Sequence, residues 1–162
     1  MNDWLSAPLP SLAQSLRSGE LGFEEFIDSL EQRIVERDGE VQALLPEANR
    51  FQRVRGEAEA MQGRFPNAAE RPALYLVPVG IKDIYHVDGF LTHAGSRLPA
   101  EALAGPEADA VRQLRKAGAL VLGKTVTTEF AYFAPGPTRN PHNLEHTPGG
   151  SSSGSAAAVA AG

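Results

Sequence analysis

The sequence predicts an α/β fold in which a mixed or largely parallel sheet is flanked by helices. Three observations carry this expectation. Residues 74–81 (Leu-Tyr-Leu-Val-Pro-Val-Gly-Ile) form a continuous apolar run, the pattern of a strand buried on both faces. Residues 119–122 (Ala-Leu-Val-Leu) repeat that pattern in shorter form. Between the two, Ala108, Val111, Leu114 and Ala117 recur at helical spacing and run to Gly118, a good helix stop. Strand, helix and strand joined by short links favour parallel pairing.

The chain before this unit reads as helical. Residues 10–17 suit a short helix closed by Gly19. A second helix starts near Gly22. Phe23, Phe26, Ile27, Leu30 and Ile34 share one face of it, and Asp38-Gly39 is expected to end it. Residues 41–45 are a short apolar link. Residues 47–62 are helical in composition but weakly amphipathic, which predicts a surface helix. Residues 1–65 therefore form an N-terminal helical region, and residues 66–162 the α/β core.

Within the core, Lys82 closes the first strand and residues 91–95 suit a short extended piece. Pro106 fits the start of the helix that follows. Residues 133–150 are loop, because Pro135, Pro137, Pro141 and Pro148 forbid regular structure there. A small-residue helix then begins after the serine-rich turn Gly149-Gly150-Ser151-Ser152-Ser153-Gly154-Ser155.

The bulk numbers exclude several classes. The net charge is −5 with no block of basic residues, which argues against nucleic acid and anionic membrane as partners. The chain has no cysteine, which excludes thiolate nucleophiles and disulfides and is compatible with the cytoplasm. The N-terminus carries neither a basic n-region nor an apolar h-region, so no signal peptide is expected. No apolar run is long enough for a transmembrane helix.

One motif misleads. Gly118 to Thr125 matches the phosphate-loop pattern G-x-x-x-x-G-K-[ST]. That mechanism needs an irregular loop after a strand and before a helix, so that backbone amides point at phosphate. Here the four middle residues are an apolar strand and a helix precedes them. The pattern is therefore read as Gly118 stopping a helix and Gly123 turning the chain off the sheet edge. His142 and His146, four apart but flanked by Pro141 and Pro148, read as solvated loop residues, as do His86 and His93.

The serine-rich turn and Lys82 admit two readings each. The turn could be a flexible linker. Yet a tightly packing small-residue helix follows it, and a turn at a helix N-terminus aims hydroxyls and amides at one point. Lys82 could reach water from the strand end, with Asp83 as its ion-pair partner or a turn residue. Alternatively, a desolvated amine gives up its proton readily and serves as general base to a hydroxyl.

Together these residues resemble the amidase signature family. The carriers are Gly80-Ile81-Lys82-Asp83, then Gly123-Lys124-Thr125 with Glu129-Phe130-Ala131, then Asn140-Pro141, then Thr147-Pro148-Gly149-Gly150-Ser151-Ser152-Ser153-Gly154-Ser155-Ala156-Ala157. They occur in the family's order; only Ser153 stands where glycine is frequent. The resemblance implies hydrolysis of amide carbon–nitrogen bonds in small-molecule substrates by a Ser–cis-Ser–Lys triad. Lys82 would be the base and Ser151 the cis-serine relay, in a turn supported by Gly149, Gly150 and hydrogen bonding from Ser152. Phe130, Ala131 and Tyr132 would line the substrate cavity. The nucleophilic serine is expected about two dozen residues past Ser151, beyond Gly162. No metal or organic cofactor is implied, and a homo-oligomer remains open. The alternative reading is a non-catalytic interaction module similar to an amidotransferase subunit.

Overall fold

The computed structural model describes residues 4–132 and 134–162. Residues 1–3 and Phe133, the first residue of the expected loop, lie outside the described residues. Among the described residues, five α-helices accompany a two-stranded parallel sheet: α1 (Leu9–Ser18), α2 (Phe23–Val41), α3 (Arg50–Arg64), β1 (Pro78–Lys82), α4 (Asp109–Lys116), β2 (Leu120–Thr125) and α5 (Ser153–Ala161). The chain is thus α/β, with α4 crossing between parallel strands.

The N-terminal helices follow their apolar stripes. Gly19, left-handed at φ 85°, closes α1. Helix α2 continues past Asp38-Gly39 to Val41. It does so because Asp38 secures the exit itself: its carbonyl accepts Gln42 N at 2.8 Å and its carboxylate accepts Ala43 N at 2.7 Å. Helix α3 is not the surface helix expected. Val54 and Ala58 are fully buried in it, and Arg53 donates to the carbonyls of Val121 (2.8 Å) and Leu122 (3.2 Å) on β2. Its apolar stripe is short because an arginine does part of the sheet contact. One apolar cluster, including Leu16, Phe26, Ile27, Val54, Tyr75, Leu76 and Leu120, joins the helices to the sheet.

Strand β1 is shorter than the apolar run that announced it. Residues 73–76 form a turn, with Tyr75 and Leu76 buried in it and Leu76 left-handed at φ 62°. Their amides find partners outside a ladder: Leu74 N on Ala117 O (2.7 Å) and Leu76 N on Gly118 O (3.0 Å). Helix α4 begins three residues after Pro106. Glu107, buried just before the helix, accepts Asp88 N at 3.0 Å and pairs with Arg115. Residues 91–95 form a loop rather than a strand. Residues 134–150 are irregular, as the prolines require.

The register of the sheet decides which side chains become neighbours. Val79 pairs with Val121 but Gly80 pairs with Gly123, so Leu122 is an extra residue on β2. Beyond it, Ile81 lies beside Lys124 and Lys82 beside Thr125. No helix among the described residues is long and apolar enough to cross a membrane.

Candidate active site

Neighbours across a ladder point to the same face of a sheet. Lys82 and Thr125 therefore share the face covered by α5, while Ile81, Asp83 and Lys124 occupy the other. The two faces carry different chemistry.

On the α5 face, Lys82 Nζ donates to Ser151 Oγ at 2.7 Å. The Lys82 side chain is half-buried, and burial pushes its amine below the ordinary lysine value, with no charged neighbour contributing. Ser151 sits in the turn that leads into α5, and the Gly150–Ser151 peptide bond is cis. Its carbonyl is held twice, by Thr128 N at 3.0 Å and by Thr127 Oγ1 at 3.2 Å.

Three glycines let this turn approach the strand. Gly149 is left-handed at φ 81°, a conformation that a Cβ disfavours. A Cβ on Gly150 would come within 2.7 Å of Thr128 Cγ2. A Cβ on Gly154 would strike Ala43 O and Val126 N, while Gly154 N donates to Val126 O at 2.9 Å. Ser155 Oγ and Thr125 Oγ1 are 2.7 Å apart and tie the first turn of α5 to the end of β2. Ser152 is exposed at the N-cap; its side chain makes no cap hydrogen bond, and its carbonyl accepts Ala156 N at 3.0 Å. The adjacent Ser153 is buried and donates to Val126 O at 3.4 Å.

Phe130, Ala131 and Tyr132 lie beside this turn. Ala131 N donates to Thr128 O at 2.9 Å, and Thr128 is the residue that holds Ser151. Phe130 and Tyr132 are 52 % and 71 % exposed, so neither is a core residue. Phe130 and Ala131 are left-handed at φ 48° and 57°.

On the opposite face, Asp83 does not pair with Lys82. Its carboxylate meets Lys124 Nζ at 2.7 Å, with both side chains almost wholly buried. The lysine of the phosphate-loop match is therefore locked inside the molecule. Gly123 does not turn the chain off the sheet; it lies within β2, and Arg50 occupies the space a side chain there would need. Gly118 does stop α4, at φ 92°. His142 and His146 are exposed in the loop.

Sequence reasoning missed Thr127, Thr128, Ser155 and the Lys124–Asp83 pair. The only signal was polar residues set in or just after apolar strands.

Comparison with known proteins identifies the family of the chain. The family model described as Amidase matches residues 25–162. A glutamyl-tRNA(Gln) amidotransferase subunit from Halorhodospira halophila is 40 % identical over 158 residues, covering 93 % of this chain and 32 % of that protein. Among solved structures, the peptide amidase of Stenotrophomonas maltophilia superposes with a TM-score of 0.82 at 31 % identity, over 98 % of this chain and 34 % of that one. The 6-aminohexanoate cyclic dimer hydrolase gives 0.79 at 30 % identity, over 97 % and 32 %. The chain spans about one third of the length of these relatives.

Proposed function

Because the chain belongs to the amidase family, we propose that it supplies the base and the proton relay of a serine amidase. The contact between Lys82 Nζ and Ser151 Oγ carries this reading. A lysine whose burial favours the neutral amine accepts the Ser151 hydroxyl proton. Ser151 in turn accepts the proton of a nucleophilic serine as that oxygen adds to the amide carbonyl. The proton returns along the same path to the departing amine, leaving an acyl-enzyme. Water then adds to the ester with the same base, releasing the acid and regenerating the serine.

We assign the nucleophile and the oxyanion donors to sequence outside these 162 residues, in keeping with relatives about three times as long. Phe130, Ala131 and Tyr132 stand next to the serine turn and are assigned to the acyl cavity of a small-molecule amide. The 162-residue chain should turn over neither amides nor activated esters. Turnover abolished by Lys82→Ala would overturn the assignment of the nucleophile. In any longer protein that carries this chain, Lys82→Ala and Ser151→Ala should each lower kcat/KM by at least about a thousandfold. A loss confined to KM would sink the base–relay reading.

The amidotransferase relative favours a second reading, in which the same site works inside a complex. Capture of a stable, stoichiometric partner by the purified protein would support it. A chain that remains unpartnered would exclude it.

A further inference from the structure

Lys124 and Asp83 bury two charges on the face of the sheet that does no proton transfer. Taking both out of water is expensive, and a well-packed apolar pair commonly serves stability as well. The geometry suggests what the pair does instead. Asp83 directly follows Lys82, at the point where β1 leaves the ladder. Its amide makes the last strand-like bond, to Thr125 O at 3.0 Å. Its carboxylate is held by Lys124 Nζ at 2.7 Å on one oxygen and by His93 N at 3.2 Å on the other. Lys124 Nζ is fixed further by Thr92 Oγ1 at 3.2 Å and Leu91 O at 3.4 Å.

The same clamp reaches the serine turn by a second route. Asp83 O accepts Ala94 N at 3.0 Å, Ala94 O accepts Phe130 N at 2.8 Å, and Thr128, two residues before Phe130, holds the Ser151 carbonyl. Both partners of the Lys82–Ser151 contact are thus linked to Asp83, Lys82 as its chain neighbour and Ser151 through this backbone path, and the ion pair holds the Asp83 side chain.

We propose that Lys124 and Asp83 are positioning residues, which fix the end of β1 and the 91–95 loop so that Lys82 Nζ meets Ser151 Oγ. The inference rests on the base–relay reading above. Without the clamp the strand end frays and the Lys82 amine reaches water.

The test uses competitive acetylation of the folded chain with acetic anhydride across pH, read by mass spectrometry. The chain has three lysines, and exposed Lys116 is the internal standard. Asp83→Asn/Lys124→Met removes both charges together and so avoids an orphaned buried ion. It should move the Lys82 titration midpoint up toward that of Lys116 and lower their reactivity ratio at neutral pH roughly tenfold. Thr92→Val keeps both charges but frees one side of the ammonium. It should shift the Lys82 midpoint in the same direction by less, and covers the case in which the double variant does not fold. Ile27→Val, a fully buried change in α2 that only lowers stability, should leave the Lys82 profile unaltered. A wild-type Lys82 profile in both clamp variants, or an equal shift in Ile27→Val, overturns the proposal. A wild-type Lys82 that titrates like Lys116, or that ignores Ser151→Ala, overturns the base–relay reading itself, and the positioning role falls with it.

Discussion

Thr125 and Ser155 share a hydrogen bond of 2.7 Å between their hydroxyls, and it binds the first turn of α5 to the end of β2 beside Lys82. Thr125 is fully buried and Ser155 half-buried. The pair belongs to the frame around the Lys82–Ser151 contact.

Thr125→Val keeps the shape of that side chain and deletes the bond. The Ser155 hydroxyl, being half-buried, can turn toward water, so the cost should be about 1 kcal/mol. Equilibrium unfolding in urea measures it. An unchanged midpoint would mean that the two hydroxyls do not hold the helix to the strand.

Glycine substitutions should sort by the space around them. Gly154→Ala drives a methyl group into backbone atoms of Ala43 and Val126, which cannot swing aside. It should cost about 3 kcal/mol or more. Gly56→Ala, exposed within α3 and with nothing nearby, should stabilise by about 0.5–1 kcal/mol. Thermal unfolding of the two variants should move in opposite directions.

The proton affinity of Lys82 links folding to pH. Burial lowers its value in the native state below the ordinary 10.5. Between the lowered value and the ordinary one, the unfolded chain binds the proton that the folded chain has released. Stability relative to Lys82→Met should therefore rise with pH across that window, and level off below it, where both states are charged. Urea midpoints of wild type and Lys82→Met, compared from neutral pH upward, test this. A difference that stays flat or shrinks with rising pH would contradict the depressed value.

Much of the frame was legible because periodicity survives folding. The stripe from Phe23 to Ile34 and the left-handed Gly19 are local properties, and they appear where the sequence puts them. Residues 74–77 misled because an apolar run marks burial, not conformation. Tyr75 and Leu76 are buried in a turn whose amides find carbonyls at the end of α4. Helix α3 misled because Arg53 replaces apolar contact with hydrogen bonds to strand carbonyls, which no hydrophobic count registers. Within the site, Lys82 stands out as a lysine closing a strand, whereas the glycine-rich turn offers several serines and only the family resemblance singles out Ser151. Asp83 was read with its chain neighbour, whereas strand alternation sends adjacent side chains to opposite faces. Ser152 was expected to brace the turn; backbone donors and Thr127 do so from 24 residues away.

The single extra residue in β2 has a consequence for the two amines. Were Leu122 paired in an unbulged ladder, Gly80 would stand against Leu122, Ile81 against Gly123, and Lys82 directly against Lys124. Two ammonium groups would then stand shoulder to shoulder, repelling one another, and the carboxylate that neutralises the second would face a threonine. Leu122 shifts the phase by one step. It gives one lysine a carboxylate and the other a hydroxyl, so that two paired strands hold the two amines back to back, each with its own partner.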